Sequence, residues 1–470
     1  MLSLLIIREL KSILLGPRFL VILAVTVSLV SAATWLGIQE FRHDEDAFRT
    51  AVQLNREWLT IQDNWYPITW SQVFRAPTPF QVFVAGSALD IGRGAQLNSD
   101  AMNMLSKPKL AEEPVFALFR PVDVTVIVIY VLSLLAIILS FDAICGEKER
   151  GTLRLTLSNA VPRTLLILAK FVSSWLALLF PLLLAFLVAA LLVSTSGIPF
   201  ESADWLRLAG LFTLSMIFVT LFLAFGLFVS TLVHRPADAF MILLVVWVGA
   251  VIIVPKLATL SAGEIVDVPT VAEISAESQA FHRAGQNEIL IRHNALVDSL
   301  MAAFPSRQQW NENYEQNRAA AWDRQDKFRE KKDEEYRVFL QRLNERVEAR
   351  KSEMQRVALS LARLSPASSF QIAAARLAGT DIGLKERFED AVGEFGTVYK
   401  TLAQRKVEPV TTGKGQMEPF DVAQLPQFVQ PRRTLSDVAA GVILDVGLLA
   451  LWALVGFAAA YVAFLRYDVR

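Results

Sequence analysis

Six stretches of this chain are apolar over lengths that could cross a lipid bilayer. A transmembrane helix needs about 17 to 25 mostly apolar residues. The fifth stretch is short, but Pro236 and Pro255 bound it and predict that its helix ends sharply on both sides. The pattern predicts an all-α polytopic membrane protein with six transmembrane helices: Phe19–Leu36, Val124–Phe141, Phe171–Val193, Leu208–Leu232, Ala237–Val254 and Val438–Leu465.

The first apolar stretch has two interpretations. Small residues at Ser31-Ala32-Ala33 fit the end of a secretory signal peptide. However, the 1–18 segment before it is long and partly apolar, and the stretch exceeds the usual length of a signal core. We favour a retained membrane anchor and leave the signal peptide open.

The basic residues in the short loops predict the orientation. Loops rich in Lys and Arg face the cytoplasm, and this rule is weak in long segments such as the one with Arg432 and Arg433. With both termini cytoplasmic, 142–170 and 466–470 lie inside, while 37–123 and 255–437 lie outside. The basic residues that then face the cytoplasm are Arg8, Lys11, Arg18, Lys148, Arg150, Arg154, Arg163, Lys170, Arg235, Arg466 and Arg470.

The second outer segment, 255–437, contains the pattern of a long charged helix. Between Ser306 and Pro366 there is no proline or glycine, and more than half of Asp323–Arg356 is charged. The helix either packs on Thr270–Phe304 or forms a stalk that meets a partner. Its narrow apolar seam consists of Phe339, Leu343, Val347, Met354, Val357, Leu361 and Leu364.

Shorter elements surround this helix. Ala367–Thr380 predicts a short helix near the membrane surface, and Leu384–Arg405 predicts another helix. Val407–Pro431 has four prolines and predicts an extended connection. In the first outer segment, Glu40–Asp63 predicts an amphipathic helix and Phe80–Ala85 a short strand-like or extended run. Both outer segments are therefore expected to be mainly helical.

Composition excludes several classes of function. The chain has 46 Lys and Arg against 46 Asp and Glu, so no basic surplus supports nucleic-acid binding. A single cysteine, Cys145, excludes a disulfide framework or a cysteine-based metal site. The four histidines do not cluster at ligand spacing, and His43 with its acidic neighbours fits a solvated turn better than a cation site. We expect no metal and no nucleic acid.

The loop 142–170 carries the most informative motif. It combines an acidic and basic cluster with a glycine and then alternating leucines, and it closes at Pro162-Arg163. Lys170 follows Arg163 by seven residues, which places both on one face of a helix. On these residues alone, the loop is either a short interfacial element or an ordinary basic inside loop.

This loop resembles the coupling loop of type-2 ABC exporter permeases, whose pattern is Glu-x-Glu-x-Gly-Thr-Leu, then Pro-x-x-Arg and a lysine. One departure is that Pro162 directly precedes Arg163. Met1–Gly16 resembles the family's amphipathic helix on the inner leaflet, with Arg8, Glu9 and Lys11 facing water. The outer segments resemble a bacterial subgroup with an extracytoplasmic domain of unknown function. The loop residues implied to couple to the ATPase are Glu147, Glu149, Arg150, Gly151, Thr152, Leu153, Arg163 and Lys170.

The resemblance implies a permease subunit of an ATP-driven exporter in a bacterial inner membrane. Such a subunit is not an enzyme and binds no cofactor, because ATP and Mg bind to a separate cytoplasmic ABC ATPase dimer. A second permease, identical or paralogous, and membrane lipid are the other implied partners. ATPase closure would push Glu147–Ser158 and move spans one, two and five. Two alternatives stay open: a mechanotransmission subunit that acts on a periplasmic partner, and a membrane scaffold or sensor without an ATPase.

Asp445 is the one acid well inside a predicted span. Ionisable groups inside a membrane are costly and often functional. Asp445 either takes part in transport or subunit contact, or occupies an interface position satisfied by water or a neighbouring group.

Overall fold

The computed structural model describes residues 1–62, 71–97, 104–106, 121–158, 162–303, 307–411, 421–430 and 433–467; Arg432 and Arg470, used for the orientation, lie outside them. Each predicted span lies within one long apolar helix, so the all-α polytopic membrane fold is confirmed. These helices, called spans one to six, are Pro17–Thr60, Val124–Glu149, Arg163–Ser196, Ser202–Leu232, Pro236–Ile265 and Ser436–Arg466.

The first span continues far beyond the predicted apolar stretch. Its helix has 44 residues and ends at Thr60, so the predicted helix from Glu40 is a direct extension of the span. The prediction of a strand-like or extended run at Phe80–Ala85 is wrong over its first half, because Pro79–Val82 forms a 3₁₀ helix. Pro79 occupies its first turn, where a proline loses no hydrogen bond and its fixed φ suits a helix.

Pro255 does not end span five, contrary to the sequence prediction, because a π-helical turn at Gly249–Ile253 precedes it. In this turn the Val254 amide donates to the Gly249 carbonyl. The next carbonyl, that of Ala250, would pair with residue 255, which has no N–H. The Ser365 hydroxyl donates to the Ala250 oxygen at 2.5 Å and replaces the missing amide.

The bundle core brings spans two and four into close approach. A Cβ added at Gly226 would lie 1.9 Å from Ser140 Oγ, so only glycine fits at this crossing. Nearby, Trp247 Nε1 donates to Ser133 Oγ at 2.8 Å and joins span five to span two. Small and polar residues of this kind allow helices to associate within a bilayer.

A short helix, Pro366–Ala378, packs against spans four, five and six. Its Phe370 is fully buried, and its ring lies 4.8 Å from that of Phe218. Phe218 lies about 15 Å along its helix from Leu208, where the predicted span begins. The predicted helix is therefore present, but it lies between spans rather than near the membrane surface.

Segments from both predicted outer regions form one structure, which we call the lobe: residues 71–97, 104–106 and 379–411. Its antiparallel strands are β1 (Gln72–Phe74), β2 (Gly94–Gln96) and β3 (Met104–Leu105), with β2 in the centre. The helix Leu384–Thr411 packs on this sheet through Phe388. It continues beyond Arg405, so the start of the predicted extended connection is helical.

Contacts around Gly86 join the two regions of the lobe. Gly86 has a φ of +53°, and a Cβ there would lie 2.4 Å from the Thr380 carbonyl oxygen. Ser87 donates from its amide and its hydroxyl to that oxygen, both at 2.8 Å. We call the end of the bundle that carries the lobe the lobe end, and the end with residues 142–158 the loop end.

Residues Pro255–Ala362 form a second compact unit. It contains two long helices, Val271–Ala303 and Arg307–Ala362, the second with 56 residues. Phe281 stacks on Phe339 with ring centroids 4.1 Å apart, and Leu343 and Val347 are buried. The part of the predicted seam from Phe339 to Val347 thus packs on the 271–303 helix, whereas Leu364, at the end of the seam, is 65% exposed.

Candidate functional site

Lys170 is the centre of a buried ion cluster at the loop end. Its side chain is only 4% exposed, and its Nζ lies 2.6 Å from Glu147 Oε1 and 3.4 Å from Glu9 Oε2. A buried ammonium group needs such partners to offset its lost hydration. The cluster joins span three to the loop and to the N-terminal helix Leu2–Leu14. The prediction that Glu9 faces water is therefore wrong, whereas Arg8 and Lys11 are exposed.

Two further contacts fasten the loop to span four. Lys148 Nζ donates to the carbonyls of Thr231 and Val233, where the helix of span four ends. A cation suits this position because the last carbonyls of a helix lack amide partners. Ser230 Oγ accepts the amides of Ile144 and Cys145 at 3.0 Å each. In the sequence, Lys148 served only to predict the orientation of the chain. Ser230 was not predicted, because no motif or pattern around it marks it as a site residue.

Arg163 has a different partner from Lys170. Its Nη1 donates to the carbonyls of Leu465 at 3.0 Å and Tyr467 at 2.8 Å, at the end of span six. Arg163 and Lys170 lie on the same helix, as predicted, but the structure does not bring them into one cluster. Arg163 thus connects spans three and six, and Lys170 connects span three to the loop.

The outward part of the loop forms a turn between two short helices, Cys145–Glu149 and Thr152–Ser158. Gly151 has a φ of +75°, the left-handed region that favours glycine, and nothing lies within 4 Å of a Cβ placed there. Thr152 Oγ1 donates to the Glu147 carbonyl at 3.4 Å, and Arg150 Nε donates to the Gly146 carbonyl at 2.9 Å. These two hydrogen bonds within the loop stabilise the turn.

Side chains of the loop point both inward and outward. Leu153 is buried in an apolar cluster with Ile144 and Leu166. Glu149, Arg150, Gly151 and Thr152 are exposed, and Leu155 is 67% exposed. The structure therefore offers a mixed polar and apolar surface on a loop whose base is anchored.

Asp445 lies in a second buried ion cluster, towards the lobe end. Its side chain is fully buried, with Arg363 Nε 2.6 Å from Oδ1 and Arg376 Nη1 3.2 Å from Oδ2. Arg376 also donates to the Gly441 carbonyl at 2.6 Å. Arg363 precedes the buried helix Pro366–Ala378 and Arg376 lies in its last turn, and these two arginines are the neighbours that satisfy Asp445. No group of three His, Cys, Asp or Glu residues in the part of the chain that the structure describes could hold a metal ion.

Comparisons with known proteins agree with this arrangement. A relative is the probable ABC transporter permease protein NosY of Stutzerimonas stutzeri, which is 34% identical over 121 residues. That alignment covers 25% of this chain and 43% of the relative, so it spans less than half of the relative's length. The model of the ABC-2 family transporter proteins matches residues 4–469, which include the loop and all six spans. The chain therefore belongs to the ABC-2 family of transporter proteins.

Proposed function

We propose that this chain is the permease subunit of an ATP-driven ABC exporter in a bacterial inner membrane. A separate ATPase dimer binds ATP and Mg at the cytoplasmic loop end, while the lobe lies outside the cytoplasm. A second permease, identical or paralogous, completes the membrane part. The Lys170 cluster carries this proposal, because it anchors the base of the loop and leaves Glu149–Thr152 and Leu155 exposed.

The contacts of the loop support a route by which ATPase motion reaches the spans. Force on residues 149–155 passes through Glu147 to Lys170, and through Lys148 to the end of span four. Arg18, at the start of span one, pairs with Asp142 at 2.5 Å. The resemblance implies movement of spans one, two and five, and these contacts add spans three and four.

A matched pair of glycine variants tests the coupling loop. Gly151 and Gly197 both have left-handed backbones, with φ of +75° and +78°, and both have open space around a Cβ. Substitution by tryptophan therefore imposes similar strain, but only Gly151 lies in the loop. We expect Gly151→Trp, alone or with Glu149→Ala, to lose the co-purified ATPase and its permease-dependent ATP hydrolysis. Gly197→Trp should retain both.

The gel-filtration profile and the melting temperature of each variant report folding. ATPase association that survives in a folded Gly151→Trp, Glu149→Ala chain would rule out this loop as the docking site. An ATPase-dead partner that leaves the cellular phenotype unchanged would instead support a scaffold or sensor.

The long helix in Pro255–Ala362 favours a second candidate, a mechanotransmission subunit that relays ATPase motion to an outer partner. Lys327 and Arg337 have side chains exposed by 72% and 70%, so partner binding could use them without disturbing the fold. Under this function, Lys327→Glu with Arg337→Glu abolishes cross-linking to the partner but keeps ATPase stimulation. Under export alone, the double variant behaves like the unmutated chain.

A further inference from the structure

A cavity of about 630 Å³ lies at the lobe end, between the helix of span one, the 3₁₀ segment and the start of span two. This volume falls within the range of about 300 to 1,000 Å³ typical of small-molecule sites. Leu36 and Val122 line it and are 51% and 49% exposed, at the levels where spans one and two meet the outer boundary of the predicted bilayer. The cavity is therefore open to molecules at the membrane boundary.

The polar wall of this cavity is acidic. Glu40, Asp44 and Asp123 line it, and the lining contains no Lys or Arg within the described ranges. Asp44 is paired with Arg93, which lies outside the lining and also interacts electrostatically with Glu40. His43 lies in the lining. The excess of carboxylates favours a ligand with positive charge.

Asp123 has neutral hydrogen-bond donors around its carboxyl group and no cation among them. Its Oδ1 accepts hydrogen bonds from Thr125 Oγ1 at 2.5 Å and the Val126 amide at 3.1 Å, and its Oδ2 accepts the Ala85 amide at 3.1 Å. These donors are neutral, and no ion pair of Asp123 occurs among the residues that the structure describes. Burial accordingly raises the pKa of Asp123, since nothing nearby compensates for its lost hydration.

A buried donor also lines the cavity. Gln81 Nε2 is inaccessible to solvent and has no hydrogen-bond partner in the structure. A buried donor without an acceptor is unfavourable, so an oxygen supplied by a ligand would favour a rotamer of Gln81 that turns Nε2 towards the cavity. The cavity thus combines an apolar mouth, a carboxylate without a counter-charge and an unused donor.

We propose that this cavity binds an amphiphile with a cationic head group and an oxygen acceptor next to it. The apolar chain lies along Leu36 and Val122, and the head group lies between Glu40 and Asp123. The site is independent of the coupling loop and adds a ligand site to the permease at the lobe end.

Binding of two matched probes to the full chain in lipid nanodiscs tests this proposal. Lauroylcholine carries the tail, the ester oxygen and a cationic head, whereas methyl laurate keeps the tail and the ester but is neutral. We expect lauroylcholine to bind the unmutated chain about tenfold more tightly than methyl laurate. One favourable charge interaction between the head group and the cavity would give a difference of this order. Equal binding of the two probes would overturn the proposal.

Asp123→Asn is the decisive variant, because asparagine keeps the size and the helix-capping ability of aspartate. It should weaken lauroylcholine binding about tenfold and leave methyl laurate unchanged. The raised pKa of Asp123 means that the folded state binds its proton more tightly than the unfolded state does, so the ionised group lowers stability at neutral pH. Asparagine keeps one acceptor for Thr125 and Val126 but places an NH2 group opposite the Ala85 amide, so the melting temperature of the variant is measured beside its binding.

Two further variants keep the test independent of folding. Glu40→Gln removes a second carboxylate of the cavity lining, from a partly exposed position on the helix of span one. It should also weaken the binding of lauroylcholine but not that of methyl laurate. Asp437→Asn makes the same charge change at the exposed start of span six and should change neither probe. Unchanged lauroylcholine binding in folded Asp123→Asn and Glu40→Gln chains would refute the site.

Discussion

Replacing Ser365 with alanine tests how span five continues through Pro255. The Ser365 hydroxyl donates to the Ala250 carbonyl at 2.5 Å, in place of the amide that proline lacks. The hydroxyl oxygen of Ser365 also accepts the Ser368 amide at 3.3 Å and so caps the helix Pro366–Ala378. Ser365 is fully buried and Ala250 is half-buried on a membrane span, where the hydrocarbon of a bilayer supplies no replacement donor.

The expected loss is the sum of two terms. A buried carbonyl left without a donor costs about 1 to 3 kcal/mol. The loss of a helix N-cap costs about 0.5 to 2 kcal/mol. Ser365→Ala should therefore lower the free energy of unfolding by about 1.5 to 5 kcal/mol.

A second substitution separates the two terms. In a Pro255→Ala chain, residue 255 regains its amide and the helix can satisfy its own carbonyls. Ser365→Ala should then lose only the cap, about 1 kcal/mol, which leaves a coupling energy of about 1 to 3 kcal/mol between Ser365 and Pro255.

Titration with SDS in mixed micelles, followed by circular dichroism, measures these free energies of unfolding. Ser215→Ala is the matched control, because Ser215 is also fully buried but donates at 2.7 Å to the Leu211 carbonyl, within a regular helix. It should change stability by less than about 1 kcal/mol, since no carbonyl is left without a partner. If Ser365→Ala costs the same in both backgrounds, the hydroxyl does not replace the amide and the reasoning is refuted.

The same titration checks three further predictions. Lys170→Gln should lower stability by about 1 to 3 kcal/mol, because Glu147 loses its cation, and adding Glu147→Gln should recover part of the loss. Gly226→Ala should cost about 1 to 3 kcal/mol by overpacking against Ser140, and Ser140→Gly should relieve this. Asp445→Asn should cost about 2 to 4 kcal/mol, because it leaves two arginines without their carboxylate; a loss below about 1 kcal/mol would contradict a stabilising cluster.

The spans could be predicted because each depends only on a local run of apolar residues. The end of span five could not, because the local rule for Pro255 ignores a hydroxyl supplied by a residue far along the chain. Glu9 shows a related limit. An amphipathic pattern identifies the polar face of a helix, but it does not say which residue on that face meets another element.

The ion clusters were only partly predictable for the same physical reason. The loop motif identified Glu147 and Lys170 as site residues, and they form an ion pair. Asp445 stood out as a lone acid within an apolar run, but its partners Arg363 and Arg376 lie in a segment that was predicted to lie outside the membrane. Charge pairs between distant segments leave no periodic trace in a sequence.

Spans four and six are connected through other elements at both ends, which limits how they can move in the proposed mechanism. At the loop end, Lys148 binds the end of span four and Arg163 binds the end of span six. At the lobe end, the helix Pro366–Ala378 packs on both spans and its Arg376 binds Asp445 of span six. Separating these spans would break the ion pairs of the buried Asp445 and leave carbonyls at the ends of spans four and six without donors. Motion imposed on the loop is therefore expected to carry spans four and six together, with the lobe attached.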